Sequence, residues 1–205
     1  MRHGGKILVR ALEAQGVDTV FCVPGESYLA ALDGLYESSR IKTIVCRQEG
    51  GAAMMAEAAG KLSGKPGVCF VTRGPGATNA AIGVHSAFQD STPMVLFIGQ
   101  VASDQRDREA FQEFDLNAVF RALGKGSEIV TDTARIPEYI ELAARHATSG
   151  VPGPAFLEIP MDVLMGPADF DKAWFPKFRR APRQAPDRTD VVAALEILSH
   201  AKRPI

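Results

Sequence analysis

Two short segments of the sequence carry residues that could do chemistry, and each directly follows an apolar run. In the first, Glu49 precedes Gly50-Gly51 at the start of an alanine-rich helical pattern. A carboxylate there can act as a general acid or base, or it can simply interact with the positive end of the helix dipole. For a lone glutamate the dipole interpretation comes first, and nearby polar turns strengthen the functional one.

The segment TRGPGATN, residues 72–79, is the second candidate. Gly74 and Gly76 lie in its turn, so the backbone can approach a ligand closely, and a helix begins at Pro75 with free N–H groups. A tight strand-to-helix turn with proline near its first position explains the same residues. The spacing is neither GxGxxG nor the P-loop pattern, and it therefore specifies neither a dinucleotide nor a P-loop phosphate site.

Short apolar strands alternating with amphipathic helices position these segments. The strand-like runs lie at 19–23, 43–46, 68–71, 94–98 and 155–159. The helical patterns lie at 4–15, 27–36 (with Ser27 as the expected N-cap), 50–62, 75–89 and 134–148. The alternation predicts an α/β fold, a doubly wound parallel sheet with helices on both faces. Ligands bind beyond the carboxyl ends of such strands, where both candidate segments lie.

Composition and charge narrow the class of protein. The chain has 205 residues, and 23 Lys and Arg against 24 Asp and Glu give a net charge of −1, which disfavours nucleic acid as a partner. No apolar run reaches the roughly 18 residues of a membrane span, and no cleavable leader is recognisable, so a cytoplasmic protein without a membrane partner is expected. The three cysteines form no CxxC pair and the four histidines are scattered, which predicts no metal site.

The composition changes after the last apolar run. Residues 160–187 hold five of the 13 prolines and the basic stretch KFRRAPRQ. A surface linker is typical of such a stretch. An amphipathic helical pattern starts again at Thr189 or Asp190. We therefore predict a domain over 1–165, a linker over 166–188 and the start of a truncated second domain over 189–205.

Several segments, in their order and spacing, resemble the N-terminal pyrimidine-binding domain of thiamine diphosphate-dependent enzymes, in particular the acetolactate synthase-like branch. They are PGES, RQEGGAAMMAEAAGKLSGKPGVCFVTRGPGATN, HSAFQDSTPMVLFIGQV, REAFQE and PGPAFLEIPMDV. The resemblance runs from about residue 4 to 165. It implies an enzyme that decarboxylates or carboligates 2-keto acids with thiamine diphosphate as its cofactor.

Residue by residue, the resemblance implies two catalytic positions. Glu49 would hydrogen-bond N1′ of the aminopyrimidine and favour the 4′-imino form that takes the thiazolium C2 proton, and Gln112 would lie near that carbon. Phe111 and Lys125 would lie in the substrate region, although ordinary packing and a solvated loop charge explain them as well. The residues that would line the pyrimidine, besides Glu49, are Pro24, Gly25, Glu26, Thr72, Pro75, Gly76 and Asn79.

The resemblance also implies partners. Members of the family hold the diphosphate and Mg²⁺ through a GDG…N motif, which this sequence lacks, so magnesium would bind to a domain that is missing here and the fragment alone would be inactive. Their half-sites come from two subunits, which implies a homodimer or tetramer with an interface near Glu49 and helix 75–89.

Two questions stay open at this point. Departures from the branch pattern in PGES, TRGPGATN and RDREAFQEFD leave the 2-keto acid and the binding of FAD undecided. The alternative function is a non-catalytic thiamine diphosphate-binding or regulatory module. A Rossmann-type nucleotide-binding protein is not supported, because the GxGxxG fingerprint is absent.

Overall fold

The computed structural model describes residues 2–169, 173–177 and 185–204. Its strands are β1 (Arg2–His3), β2 (Thr19–Cys22), β3 (Lys42–Val45), β4 (Gly67–Val71), β5 (Met94–Gln100), β6 (Gly126–Ile129), β7 (Pro154–Pro160) and β8 (Pro167–Ala168). Strands β2 to β7 form one parallel sheet in the order β3-β2-β4-β5-β7-β6, whereas β1 and β8 form a short antiparallel pair. The predicted parallel sheet is confirmed.

Helices cover both faces of this sheet. They are α1 (Gly4–Ala14), α2 (Leu29–Glu37), α3 (Glu49–Ser63), α4 (Pro75–Gln89), α5 (Leu116–Phe120), α6 (Ile136–Thr148), α7 (Met161–Met165) and α8 (Arg188–His200). Side chains alternate along each strand, so Val95 and Phe97 of β5 join the core under α1, α2 and α6, while Leu96 and Ile98 join the core under α3, α4 and α5. The doubly wound arrangement is therefore confirmed.

Two local features differ from the sequence prediction. Ser27 is not the N-cap of α2, because its hydroxyl lies 2.7 Å from the Thr72 hydroxyl and the helix begins at Leu29 after a single 3₁₀ turn. The segment that contains α5 and β6 has no counterpart among the predicted elements. Strand β6 lies at the edge of the sheet and is only partly buried, so its sequence GSEI carries no apolar run.

The predicted linker is partly in contact with the domain. Ala173 and Phe175 pack against the core beneath α1, and the Gln15 amide donates to the Pro176 carbonyl over 2.6 Å. Helix α8 lies where the amphipathic pattern predicts a helix, and all of its residues are exposed. Residues 170–172 and 178–184 of the predicted linker lie outside the described part of the chain. The division into domains stays a prediction.

Across residues 2–169, 173–177 and 185–204, no helix has both the length and the apolar character needed to cross a membrane.

Candidate active site

Glu49 is the first residue of α3, where the chain turns from β3 into the helix. The preceding Gln48 is extended and caps the helix, because its side-chain oxygen accepts a hydrogen bond from the Gly51 amide over 2.9 Å. Gly50 lets helix α4 approach closely, since a Cβ at this position would lie 3.0 Å from Ile82 Cγ2 and 3.2 Å from the Asn79 carbonyl oxygen. The start of α3 is thus held against α4.

The Glu49 carboxylate faces the first turns of α4. Asn79 Nδ2 donates to Glu49 Oε2 over 3.1 Å. A Cβ at Gly76 would lie 3.5 Å from Glu49 Oε1 and 2.7 Å from Thr72 Cγ2, so glycine keeps the space beside the carboxylate open. Among the described residues, none donates a hydrogen bond to Oε1. One carboxylate oxygen is therefore oriented by Asn79 and the other remains available to a ligand.

Small residues allow α3 and α4 to lie close enough for this pairing. At Gly83, an added Cβ would lie 2.6 Å from Ala53 Cβ. The fully buried alanines between and beneath the two helices are Ala52, Ala53, Ala56, Ala77, Ala80 and Ala87. The alanine-rich sequence of both helices thus fixes the separation of their first turns.

The segment 24–27 forms a second wall at the same edge of the sheet. The buried Ser27 hydroxyl contacts Thr72, and a Cβ at Gly25 would lie 2.6 Å from Thr72 Cβ. Tyr28 anchors the segment because its hydroxyl donates to the Val23 carbonyl, and burial raises the pKa of this phenol, which keeps it a neutral donor. Pro24 and Gly25 therefore lie directly beside the TRGPGATN turn.

A third wall is the segment 101–115, which carries Phe111 and Gln112. Gln112 has a φ of +62° and lies against Gly74, whose φ is +60° and where a Cβ would lie 2.7 Å from Gln112 Cβ. Phe111 is 70% exposed, so it does not serve as core packing within this chain. The buried Arg73 donates to the Phe111 carbonyl and to Glu26, each over 2.8 Å. The sequence pattern assigned no role to Arg73, which lies in the segment TRGPGATN.

The other end of segment 101–115 is held by a buried carboxylate. Glu158, at the carboxyl end of β7, is 4% exposed and accepts a hydrogen bond from Arg106 over 2.8 Å. Burial raises the pKa of Glu158, while the Arg106 charge opposes that rise. Asp162 Oδ1 accepts from both the amide and the hydroxyl of Ser103. These contacts fix the segment across the sheet edge, and the sequence pattern did not indicate them.

Lys125 is the one predicted site residue that the structure does not bring to the others. It directly precedes β6, its amide donates to the Pro154 carbonyl over 2.8 Å, and its ammonium donates to the Ser149 carbonyl. Strands β6 and β7 begin here, so Lys125 lies at the amino-terminal edge of the parallel sheet, opposite the candidate site. Burial lowers the pKa of Lys125.

These features define the class of protein as a doubly wound α/β domain whose candidate site residues gather at the carboxyl edge of its sheet. Within the described residues, no group of three or more His, Cys, Asp or Glu side chains is placed to hold a metal ion. The family model for "Thiamine pyrophosphate enzyme, N-terminal TPP binding domain" matches residues 2–119. The chain therefore belongs to the thiamine pyrophosphate enzyme family, as an N-terminal TPP-binding domain.

Its relatives include acetolactate synthases from plants and bacteria. The chain is 37% identical over 207 residues to "Acetolactate synthase, chloroplastic" of Arabidopsis thaliana, covering 100% of this chain and 31% of that protein. It is 36% identical over 203 residues to "Acetolactate synthase isozyme 2 large subunit" of Escherichia coli, covering 99% of this chain and 36% of that protein. The chain thus spans about a third of the length of the curated relatives it matches.

Proposed function

We propose that the whole protein is a thiamine diphosphate-dependent enzyme that decarboxylates or carboligates 2-keto acids, similar to acetolactate synthases, and that this chain supplies the aminopyrimidine half of its site. Membership of the family and the names of the relatives support the proposal. The observation that carries it is the Glu49 carboxylate, held by Asn79 through one oxygen and open beside Gly76 through the other.

The residues at this edge fit the cofactor's ring. When bound, thiamine diphosphate supplies the nucleophile and the electron sink for reactions at a 2-keto carbon. Glu49 Oε1 would share a proton with N1′ of the pyrimidine, and Asn79 would keep the carboxylate in the orientation which that contact needs. Gly76 leaves space for the ring edge. The Ser27–Thr72 contact would keep Gly25 and the TRGPGATN turn at a fixed separation on either side of the ring.

The remaining candidates divide between the cofactor and the substrate. Pro24, Gly25 and Glu26 would face the pyrimidine through their backbone, because the Glu26 side chain is already engaged by Arg73. Gln112 and Phe111 would lie on the substrate side, since both belong to the segment that lies against Gly74. Thr72 and Pro75 would complete the wall beside Gly76. A role for Lys125 toward the substrate stays a prediction, because it lies at the other edge of the sheet.

A second copy of the chain is the proposed partner. Large apolar side chains on α3 and α4 are exposed, including Met54, Met55, Ile82 and Phe88 at 40–58% exposure. A surface of this kind favours burial against another protein. Glu49 is partly exposed in the single chain, and a partner subunit would shield it from water. A homodimer or tetramer would therefore exclude water from the site.

The other parts of the proposal rest on the sequence. Mg²⁺ and the cofactor's diphosphate would bind to a domain outside these 205 residues. The 2-keto acid and the binding of FAD remain open, and a cytoplasmic location stays a prediction.

A glutamine substitution at Glu49 in the full-length protein tests the proposal. Glu49→Gln keeps the size and the Asn79 contact but removes the proton-sharing carboxylate, so thiamine diphosphate-dependent consumption of pyruvate should fall by about 10²-fold or more. Glu138→Gln is the matched control, because Glu138 also lies in the first turn of a helix, and that helix packs on the opposite face of the sheet from α3 and α4. It reproduces the loss of a helix-dipole interaction without touching the site.

The outcomes separate the two candidate functions. Near wild-type turnover by Glu49→Gln would contradict the role of Glu49. Thiamine diphosphate binding without turnover of any 2-keto acid by the wild-type full-length protein would favour a non-catalytic module. Equal losses in Glu49→Gln and Glu138→Gln would indicate that the carboxylate acts only on its helix.

A further inference from the structure

Arg73 connects two walls of the candidate site. Its Nη2 donates to Glu26 on the segment 24–27, and its Nε donates to the Phe111 carbonyl on the segment 101–115, both over 2.8 Å. The residue is 4% exposed. Arg73 directly precedes Gly74 in the chain. Arg73 therefore binds the Phe111 carbonyl, and its neighbour Gly74 contacts Gln112.

The surroundings of Arg73 argue against a mainly stabilising role. A buried guanidinium loses its hydration, and within the described part of the chain nothing accepts a hydrogen bond from its buried Nη1. The Glu26 side chain is 58% exposed, so water would solvate its carboxylate without Arg73, and Phe111 as a whole residue is 70% exposed. Removing one partner of an ion pair is strongly destabilising where it leaves a buried charge, but Arg73→Met leaves only the exposed Glu26 carboxylate.

The backbone at the contact needs to be held in place. Gln112 has a φ of +62°, a conformation that non-glycine residues adopt at a cost, and such residues persist only where the surroundings enforce them. The hydrogen bond to the Phe111 carbonyl acts on the peptide group that leads directly into Gln112. Arg73 is therefore placed to fix the direction of both the Phe111 and the Gln112 side chains.

We propose that Arg73 is a positioning residue, which holds the Phe111–Gln112 segment against Gly74 and thereby sets how a 2-keto acid fits beside Glu49. This inference rests on the proposed function for its substrate, though not for the contact itself. Glu26 offsets the Arg73 charge, so the guanidinium acts through the two segments that it joins. The Glu49–Asn79 pair and the Ser27–Thr72 contact do not involve Arg73, and they would continue to hold the pyrimidine wall.

The test compares Arg73→Met with wild type in the full-length protein, with pyruvate and 2-ketobutyrate as substrates. We expect the KM for both 2-keto acids to rise by about tenfold or more, because a small displacement of positioning groups is costly. The half-saturating concentration of thiamine diphosphate should change by less than about twofold, and the thermal midpoint should change little, because the Glu26 carboxylate that loses its partner is exposed. Arg145→Met is the matched control, since Arg145 forms an ion pair with Glu141 on α6.

A second measurement does not depend on turnover. Amide hydrogen exchange of peptides covering 106–115, without added cofactor, should become faster in Arg73→Met and stay unchanged in Arg145→Met. Arg73→Lys keeps the positive charge but loses the planar guanidinium, whose separate N–H groups reach both partners. It should therefore give intermediate KM values.

Each outcome supports or overturns the inference. Wild-type KM and unchanged exchange in Arg73→Met would overturn it. A lowered thermal midpoint with unchanged KM would also overturn it, because Arg73 would then be merely structural. If Arg73→Met does not fold, wild-type KM and exchange in a folded Arg73→Lys would be decisive against it. If the wild-type protein shows no turnover that depends on thiamine diphosphate, the proposed function fails, and the exchange measurement still decides whether Arg73 positions the segment.

Discussion

Asn79 donates its side-chain amide to the carboxylate of Glu49 over 3.1 Å, and this bond joins the second turn of α4 to the start of α3. The strands that precede those helices, β3 and β4, are not neighbours in the sheet, since β2 lies between them. The contact therefore depends on the close packing of α3 on α4. A carboxylate that is oriented from a neighbouring helix has fewer accessible rotamers than one on an isolated helix end.

Removing the Asn79 amide should loosen Glu49 without unfolding the protein. In the full-length protein, Asn79→Ala should lower turnover of a 2-keto acid by about tenfold, since the carboxylate loses its orienting donor. Because Asn79 is exposed, the free energy of unfolding should change by no more than about 0.5 kcal/mol. Steady-state kinetics and thermal unfolding measure the two quantities.

The adjacent Thr78 provides the control for this prediction. Within the described part of the chain its hydroxyl bonds only to backbone carbonyls of its own turn, so Thr78→Ala should leave turnover unchanged. Equal turnover in Asn79→Ala and wild type would show that Glu49 does not need this contact.

Gly74 should not accept a side chain. An alanine there would meet both a positive φ and a Cβ only 2.7 Å from that of Gln112, so Gly74→Ala should lower the free energy of unfolding by about 2–4 kcal/mol. Gly150 has the same φ of +60° but open space around it. Gly150→Ala should therefore lower the free energy of unfolding by only about 1 kcal/mol, from the backbone conformation alone. Urea unfolding of both variants measures the difference. Similar losses in the two would indicate that the Gln112 segment moves away freely.

Alanine substitutions at two glycines of α3 and α4 should change the stability of the protein in opposite directions. Gly83→Ala would place a methyl group 2.6 Å from Ala53 Cβ, push the helices apart and destabilise the protein by about 1–3 kcal/mol. Gly51→Ala meets nothing within 4 Å, and it should stabilise the protein by about 0.5–1 kcal/mol through helix propensity. Thermal unfolding distinguishes the two signs. A stabilising Gly83→Ala would mean that the helices are not in tight contact.

The main elements of the fold could be predicted from the sequence because their hydrophobic patterns are unusually clear. Every residue of β5 and β7 is buried, and each strand is a nearly continuous apolar run, which is typical of a parallel strand covered on both faces. Strand β6 has the mixed sequence GSEI because an edge strand has one open side, and it gave no periodic signal. The formation of a short edge strand depends more on the strand that it pairs with than on its own residues.

The candidate site was predictable where local sequence determines it. Glu49 and the TRGPGATN turn follow strands, and the carboxyl edge of a parallel sheet collects such segments. Arg73 could not be predicted, since its partners Glu26 and Phe111 are 47 and 38 residues away and only the fold brings them together. Lys125 shows the converse case, because it precedes a strand and so lies at the opposite edge of the sheet.

The three cysteines allow a prediction about stability at high pH. Cys22, Cys46 and Cys69 are buried and free, and desolvation raises the pKa of each thiol, that of Cys22 to about 11. An unfolded cysteine titrates near pH 8.5, so between about pH 8.5 and 11 the unfolded chain loses protons that the folded chain keeps. The stability that the neutral thiols contribute is therefore complete below pH 8.5 and falls as the pH rises through this window.

Two measurements check this sign. Urea unfolding at pH 8 and pH 10.5 should give a lower free energy at the higher pH, and Cys22→Ala should reduce that difference by about 1–2 kcal/mol, because one titrating group is removed. The comparison with Cys22→Ala isolates the thiol from Tyr28, whose pKa is also raised by burial. A thiol reagent at pH 8 should modify the folded protein far more slowly than the urea-unfolded chain, since buried neutral thiols are unreactive. Rapid modification of all three cysteines in the folded protein would contradict both the burial and the raised pKa values.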